Sequence, residues 1–146
     1  MIIRRSKSMK INFRLKLFVI LLFLFNFNYS YALPKEGSWT DEMYTDNNEI
    51  PYSIFSIKLK VEDNNKINGE LCSIIQYGNK IDCPILFSSR LIDNKIKVHF
   101  DSNFGGINGF AVITIQGNNL SWDLINVPEG EYYVVRKALL LPEKNK

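Results

Sequence analysis

The residues best suited to nucleophilic or metal chemistry are few in the main part of this chain. From residue 33 onward there are two cysteines, Cys72 and Cys83, and a single histidine, His99. Hydroxyl or thiol catalysis needs a histidine in contact with the nucleophile, and a zinc site needs about four Cys or His ligands. His99 falls on the polar side of an alternating segment, which predicts a solvated side chain. These residues predict neither a catalytic site nor a zinc site.

Cys72 and Cys83 are predicted to form a disulfide. The ten residues between them read as two strand-like pieces around Gly78-Asn79. A four-residue loop at 76–79 would place the two cysteines opposite each other on neighbouring strands. Such a bond closes a short loop and stabilises the fold by about 3 kcal/mol. The alternative, a pair of free thiols with one acting as a nucleophile, is disfavoured if the protein is exported.

Paired carboxylates are the remaining catalytic option. Two of them about 5–9 Å apart can cleave a glycosidic bond. Acidic pairs occur near predicted loops: Asp41 and Glu42, Asp46 and Glu49, and Glu129 and Glu131. No apolar setting that would raise the pKa of one partner is visible around them. We therefore expect a protein that is not an enzyme and that needs no cofactor.

The segment 101–108 has two interpretations. Its D-x-N-x-G-G spacing partly matches a calcium loop, but the twelfth position, where an EF-hand needs Glu, is Val112. The alternative is a hairpin loop, with Gly105 and Gly106 as its hinge, that exposes Phe104 and Ile107 as an interaction surface. We expect the second interpretation and no metal.

The first 32 residues have the pattern of an export signal. Six basic residues precede the apolar run Leu17–Phe25, and Ser30-Tyr31-Ala32 supplies small residues at the cleavage positions. Nine apolar residues are too few for a permanent membrane helix, which needs roughly 20. The pattern predicts a cleaved signal peptide, 1–32, and one domain, 33–146, in the periplasm or secreted. Met9 is an alternative start, and the kingdom of the host stays open.

Removal of the signal reverses the sign of the net charge. The whole chain carries 18 Lys and Arg against 15 Asp and Glu, a net charge of +3. The signal holds six of the basic residues and no acidic one, so residues 33–146 carry 12 against 15, a net charge of −3. An acidic domain with dispersed lysines disfavours nucleic acid as a partner.

Alternation of apolar and polar residues predicts an all-β fold. We expect about eight strands at 37–43, 53–62, 67–77, 80–89, 95–101, 109–116, 119–125 and 131–140, separated by Asn-, Asp- and Gly-rich turns. Short sequential hairpins favour an antiparallel meander closed into an up-and-down β-barrel, since closure removes the edge strands. A two-sheet β-sandwich is the alternative. The predicted inward residues are Phe55, Ile57, Leu59, Val61, Val98, Phe100, Trp122 and Leu124.

The start of the first strand resembles a known family of barrels. Gly37-Ser38-Trp39 is similar to the G-x-W that opens the lipocalin and avidin (calycin-type) β-barrels. The resemblance implies that Trp39 plugs one end of the barrel and that a basic residue of the last strand, here Arg136, packs over it. It covers only this tripeptide and the strand count, so it supports the barrel and no particular ligand.

The longer connections predict where the protein binds. In an up-and-down meander the connections 44–51, 101–108 and 127–131 fall at the same end of the barrel. This end would present Phe104, Gly105, Gly106, Ile107, Glu129, Glu131, Tyr132 and Tyr133, a composition typical of protein interfaces. Packing of the two tyrosines within the last strand is the alternative for that pair.

We therefore predict a non-enzymatic module that binds a protein partner outside the cytoplasm, of the inhibitor or immunity type. A carrier that holds a small apolar ligand in the barrel interior is the alternative. No nucleic acid and no membrane anchor after signal cleavage are expected, and the oligomeric state stays open.

Overall fold

The computed structural model describes residues 33–45 and 49–143 of the 146-residue chain. These residues form a closed antiparallel barrel in which each strand pairs with its neighbours in sequence and β1 pairs with β8. The strands are β1 (Glu36–Met43), β2 (Ser53–Val61), β3 (Lys66–Ile75), β4 (Lys80–Ile92), β5 (Lys95–Phe100), β6 (Gly109–Gln116), β7 (Asn119–Asn126) and β8 (Lys137–Pro142). The predicted all-β, eight-stranded barrel is confirmed. Helix in the described residues is limited to two 3₁₀ turns, Asp63–Asn65 and Gln76–Gly78.

Seven of the eight predicted strands match the structure to within three residues at each end. The last one is wrong at its start, because β8 begins at Lys137 and not at residue 131. The carbonyl of Glu131 accepts a hydrogen bond from the amide of Gly106, and the carbonyl of Tyr133 accepts one from the Ser73 hydroxyl. The backbone of 131–136 is therefore bonded to other parts of the barrel and not to a strand partner along its length.

Apolar side chains fill the interior of the barrel. Of the eight predicted inward residues, seven are buried and Val61 is half-buried against the core. The ring of Trp122 on β7 lies 5.1 Å from that of Phe55 on β2 and 6.0 Å from that of Phe100 on β5. Because β2 and β7 are not neighbours in the sheet, this contact crosses the lumen. Side chains thus occupy the space that a ligand would need.

The sheet is held less tightly along two seams. The β4–β5 ladder has two residue pairs and the β1–β8 ladder has two, whereas β2 and β3 are paired over nine. The hydroxyl of Ser89 bridges the first seam through a 2.6 Å hydrogen bond to the carbonyl of Lys97. At the second seam, Asp41 is the residue of β1 directly after the two β1–β8 pairs. Burial raises the pKa of its carboxyl group above the usual value. The sandwich alternative is not observed, since both seams remain closed by backbone pairing.

The loop end of the barrel as candidate functional site

Four connections lie at one end of the barrel, which we call the loop end: the β1–β2 connection, described at 44–45 and 49–52, and the connections 76–79, 101–108 and 127–136. The opposite end, the turn end, carries the short connections 62–65, 93–94 and 117–118. This agrees with the alternation expected of a meander. The connection at 76–79, which joins β3 to β4, adds a fourth element to the three predicted from loop length.

Backbone hydrogen bonds join the 101–108 and 127–136 connections into one unit. Ile107 and Glu129 exchange two of them, of 3.0 and 2.8 Å, as an isolated antiparallel bridge. The amide of Gly106 donates to the carbonyl of Glu131 over 2.9 Å. Two loops tied in this way present their side chains in a defined arrangement, which lowers the entropy cost of binding a partner.

Close approach between these two loops requires glycine. A Cβ atom on Gly106 would lie 2.7 Å from the carbonyl oxygen of Glu131, and one on Gly130 would lie 2.9 Å from that of Gly105. Gly130 also has a φ of +111°, a conformation that side chains other than glycine rarely adopt. Gly106 of the predicted site and the neighbouring Gly130 thus act through backbone packing, whereas a Cβ atom on Gly105 would have no atom within 4 Å. Gly106 is buried, and only Gly105 lies at the surface as predicted.

Aromatic and apolar side chains project from this pair of loops. The rings of Phe104 and Tyr133 meet edge to face with centroids 4.6 Å apart. Phe104 is 41% exposed and Ile107 is 48% exposed. Tyr132 and Tyr133 are both half-buried, but Tyr132 packs against the core and only Tyr133 contacts the exposed Phe104. We call Phe104, Ile107 and Tyr133 the aromatic patch.

A charged pair borders the aromatic patch. The hydroxyl of Tyr133 donates a hydrogen bond to the Glu131 carboxylate, and the Lys80 Nζ lies 4.0 Å from the same carboxylate and 4.9 Å from the Tyr133 ring centroid. The Tyr133 hydroxyl and the negative charge of Glu131 raise the pKa of Lys80. Lys80 therefore keeps its positive charge throughout the neutral range.

A buried polar group beneath the loops was not predicted from the sequence. Asp82 on β4 is fully buried and accepts hydrogen bonds from the Ser102 hydroxyl at 2.6 Å and from the Asn103 amide at 3.0 Å. The buried Ser73 on β3 donates to the carbonyl of Tyr133 over 2.7 Å. These two side chains anchor the 101–108 and 127–136 connections to adjacent strands. Alternation with Ile85 and Phe87 would place Asp82 on the outward side of β4, and the β-bulge between β3 and β4 is what turns it inward, so the sequence pattern carried no signal for it. A buried carboxylate requires such hydrogen-bond partners.

The disulfide lies beside these anchors. Cys72 and Cys83 are bonded, as predicted, across a β-bulge between β3 and β4, with Cα atoms 4.4 Å apart. Each cysteine is the sequence neighbour of an anchor, Cys72 of Ser73 and Cys83 of Asp82. The bond therefore joins the two strands at the level where both loops are attached. A disulfide is consistent with an oxidising compartment.

A second group of exposed side chains surrounds the 44–52 and 76–79 connections. The rings of Tyr52 and Tyr77 meet edge to face at 5.3 Å, and the Tyr77 hydroxyl lies 2.6 Å from the Thr45 hydroxyl. Most of the exposed large hydrophobic and aromatic side chains of the described residues belong to the loop end or to the strand ends next to it: Met43, Tyr44, Ile50, Tyr77, Ile81, Phe104, Ile107, Ile125 and Val127. Such concentration is typical of an interaction surface.

The structure places the two residues of the predicted barrel plug apart from each other. Trp39 is buried at the turn end, and its Nε1 donates to the carbonyl of Asn118 over 2.8 Å. Its indole also covers Gly37, where a Cβ atom would lie 2.6 Å from the ring, which explains the G-x-W spacing. Arg136 is exposed and precedes β8 at the loop end, whereas Trp39 pairs with Pro142. Six residues of strand, about 20 Å, separate the two, so Arg136 does not cover Trp39.

The described residues contain no cluster suited to a metal ion. His99 is exposed and stacks on Phe110 at 4.7 Å. No group of three or more His, Cys, Asp or Glu in 33–45 and 49–143 is arranged to hold a metal ion. In the 101–108 loop, Asp101 accepts a 2.9 Å hydrogen bond from the amide of Asn108, so this carboxylate closes the loop on itself. Asp46 lies outside the described residues.

Comparisons with family models, curated proteins and solved structures give no significant match. The described part of the chain also contains no helix long and apolar enough to cross a membrane. The predicted signal peptide, 1–32, lies outside the described residues. The case for a function therefore depends on the loop end itself.

Proposed function

We propose that the protein is exported and binds another protein through the loop end of its barrel, as an inhibitor or immunity-type protein does. The observation that carries the proposal is the aromatic patch, with Phe104 and Ile107 exposed and Tyr133 half-buried beside them. It lies on two loops that are bonded to each other and anchored on Asp82 and Ser73. Interfaces obtain most of their binding energy from a few such aromatic and apolar side chains on a surface that is ordered before binding.

The filled interior supports this function over that of a carrier. The alternative requires a cavity that encloses a small apolar molecule. The contact between Phe55 and Trp122 crosses the lumen, and Phe100 lies against the same indole. Surface binding needs no such cavity and uses the part of the molecule where exposed apolar residues are concentrated.

Export is the first expected result. Protein recovered from the native host should begin at or near Leu33 and lie outside the cytoplasm, because the 1–32 segment has the pattern of a cleaved signal and the domain contains a disulfide. N-terminal sequencing of the fractionated protein measures this. Intact protein beginning at Met1 or Met9 in the cytosol would contradict export and the proposed partner compartment together.

Replacement of Phe104 and Tyr133 by Ala is expected to weaken binding to the native partner by about 2 kcal/mol in total. Phe104 is exposed, Tyr133 is half-buried, and their rings contact each other outside the barrel core, so their truncation removes interface contacts while the core is retained. The partner is captured from the extracytoplasmic fraction by the wild-type protein, identified by mass spectrometry, and its affinity measured by calorimetry for each variant.

Two turn-end variants, Asn64→Ala and Asn94→Ala, serve as matched controls and should bind normally. If these controls abolish capture while the loop-end variants retain it, the binding surface is at the turn end. Copurification of a small apolar molecule in place of any protein would favour the carrier.

A further inference from the structure

Charge is distributed unevenly along the barrel. When each strand is divided at its middle, the described half that includes the loop end holds eight acidic and three basic residues: Asp41, Glu42, Glu49, Asp82, Asp101, Asp123, Glu129 and Glu131 against Lys80, Arg136 and Lys137. The half that includes the turn end holds six acidic and seven basic residues. The negative charge of the domain is thus concentrated at the end that carries the aromatic patch.

Two of these acidic residues lie next to the aromatic patch in the structure. Glu129 is bridged to Ile107 through the backbone, and the Glu131 carboxylate accepts the hydrogen bond of Tyr133. Within the described residues, Lys80 is the one basic group in an ion pair with these loops. The carboxylates of Glu129, Glu49 and Asp101 are on exposed residues. The apolar contact area therefore has a rim in which acidic groups outnumber basic ones, with Lys80 paired to Glu131 and no ion pair to Glu129, Glu49 or Asp101 within the described residues.

An acidic rim around an apolar patch favours a partner surface of opposite charge. A like-charged partner surface would be repelled on approach, whereas Lys and Arg side chains would be attracted and oriented. We infer that the loop end binds a partner surface in which Lys or Arg residues surround an apolar or aromatic group. As a statement about the biological partner this inference rests on the proposed function, but the charge preference of the surface can be measured without that partner.

The test uses two tripeptides, Lys-Trp-Lys and Glu-Trp-Glu, which present the same indole with opposite charges. Each is titrated to 10 mM into the isotopically labelled exported protein at low salt, and backbone amide shifts are followed by NMR. Lys-Trp-Lys should shift amides of 101–108 and 127–133, and Glu-Trp-Glu should give at most a third of that effect. Raising NaCl to 0.5 M should weaken binding of Lys-Trp-Lys about threefold or more, because salt screens exposed charges.

Two double variants test whether binding of Lys-Trp-Lys depends on the carboxylates of the loop end. Glu129→Gln with Glu131→Gln should weaken Lys-Trp-Lys binding about threefold, a size typical of exposed charge pairs. Glu62→Gln with Asp63→Asn removes two charges at the turn end and should leave binding unchanged. The inference is overturned by equal shifts from both tripeptides, by shifts centred on the turn end, or by no loop-end shifts from Lys-Trp-Lys at 10 mM. A native partner captured through Phe104 and Tyr133 would in that case still support the proposed function.

Discussion

Trp122→Ala is expected to lower the free energy of unfolding by about 3–5 kcal/mol, the usual loss when a large buried aromatic side chain is removed. Trp122 is 1% exposed, and its indole contacts Phe55 and Phe100 from across the barrel. Its Nε1 also donates a 2.8 Å hydrogen bond to the carbonyl of Val135 in the connection before β8. Truncation leaves a cavity in the lumen and an unpaired carbonyl beside it. Urea denaturation followed by circular dichroism measures the change.

Two further variants define the origin of this loss. Trp122→Phe retains most of the apolar volume but lacks the indole N–H, so it should lose less than the Ala variant. Leu86→Ala truncates an apolar side chain that is 72% exposed and should change the unfolding free energy by no more than about 0.5 kcal/mol. A loss below about 1 kcal/mol for Trp122→Ala would mean that the interior is loosely filled, and the carrier function would regain support.

Removal of the disulfide is the second large effect. The double variant Cys72→Ser with Cys83→Ser should be less stable by about 2–4 kcal/mol, because the bond restricts the unfolded chain. The double change avoids a lone reactive thiol. Partner binding should weaken as well, since the bond joins β3 and β4 beside Ser73 and Asp82, which anchor the binding loops. Chemical denaturation and the calorimetric assay of partner binding measure the two effects.

A matched control separates the bond from its surroundings. Ser56→Ala changes a half-buried side chain on β2 that is paired with Cys72, and its loss of stability should be within about 0.5 kcal/mol. Thiol labelling of denatured, unreduced protein checks the premise. Two labelled cysteines would show that the bond is absent in the protein as produced.

The strands can be predicted from the sequence because apolar and polar residues alternate with a period of two along a half-buried strand. The alternation through Phe55, Ile57 and Leu59 predicted β2, and Gly117-Asn118 correctly predicted the turn between β6 and β7. The disulfide followed from the loop length at 76–79 in the same local way. Each of these predictions depends on residues close together in sequence.

The errors concern residues whose partners are distant in sequence. The segment 131–136 alternates like a strand, but hydrogen bonds from Gly106 and Ser73 hold it as a loop. Arg136 was placed over Trp39 by analogy, whereas the register of β8 puts the two at opposite ends. Asp82 appeared as one more acidic residue, and only the folded chain shows it buried under Ser102.

By itself, the sequence determined the eight strands, their order, the paired cysteines and the end at which the long connections gather, because local periodicity and turn chemistry specify these features. The tertiary structure decided which side chains at that end are exposed, which anchor the loops and where the carboxylates lie relative to the aromatic patch. Those properties depend on strand register and on contacts such as Ser73 with Tyr133, sixty residues apart in sequence. The exposure of these side chains is therefore set by packing across the barrel, and the residue pattern within a single strand does not predict it.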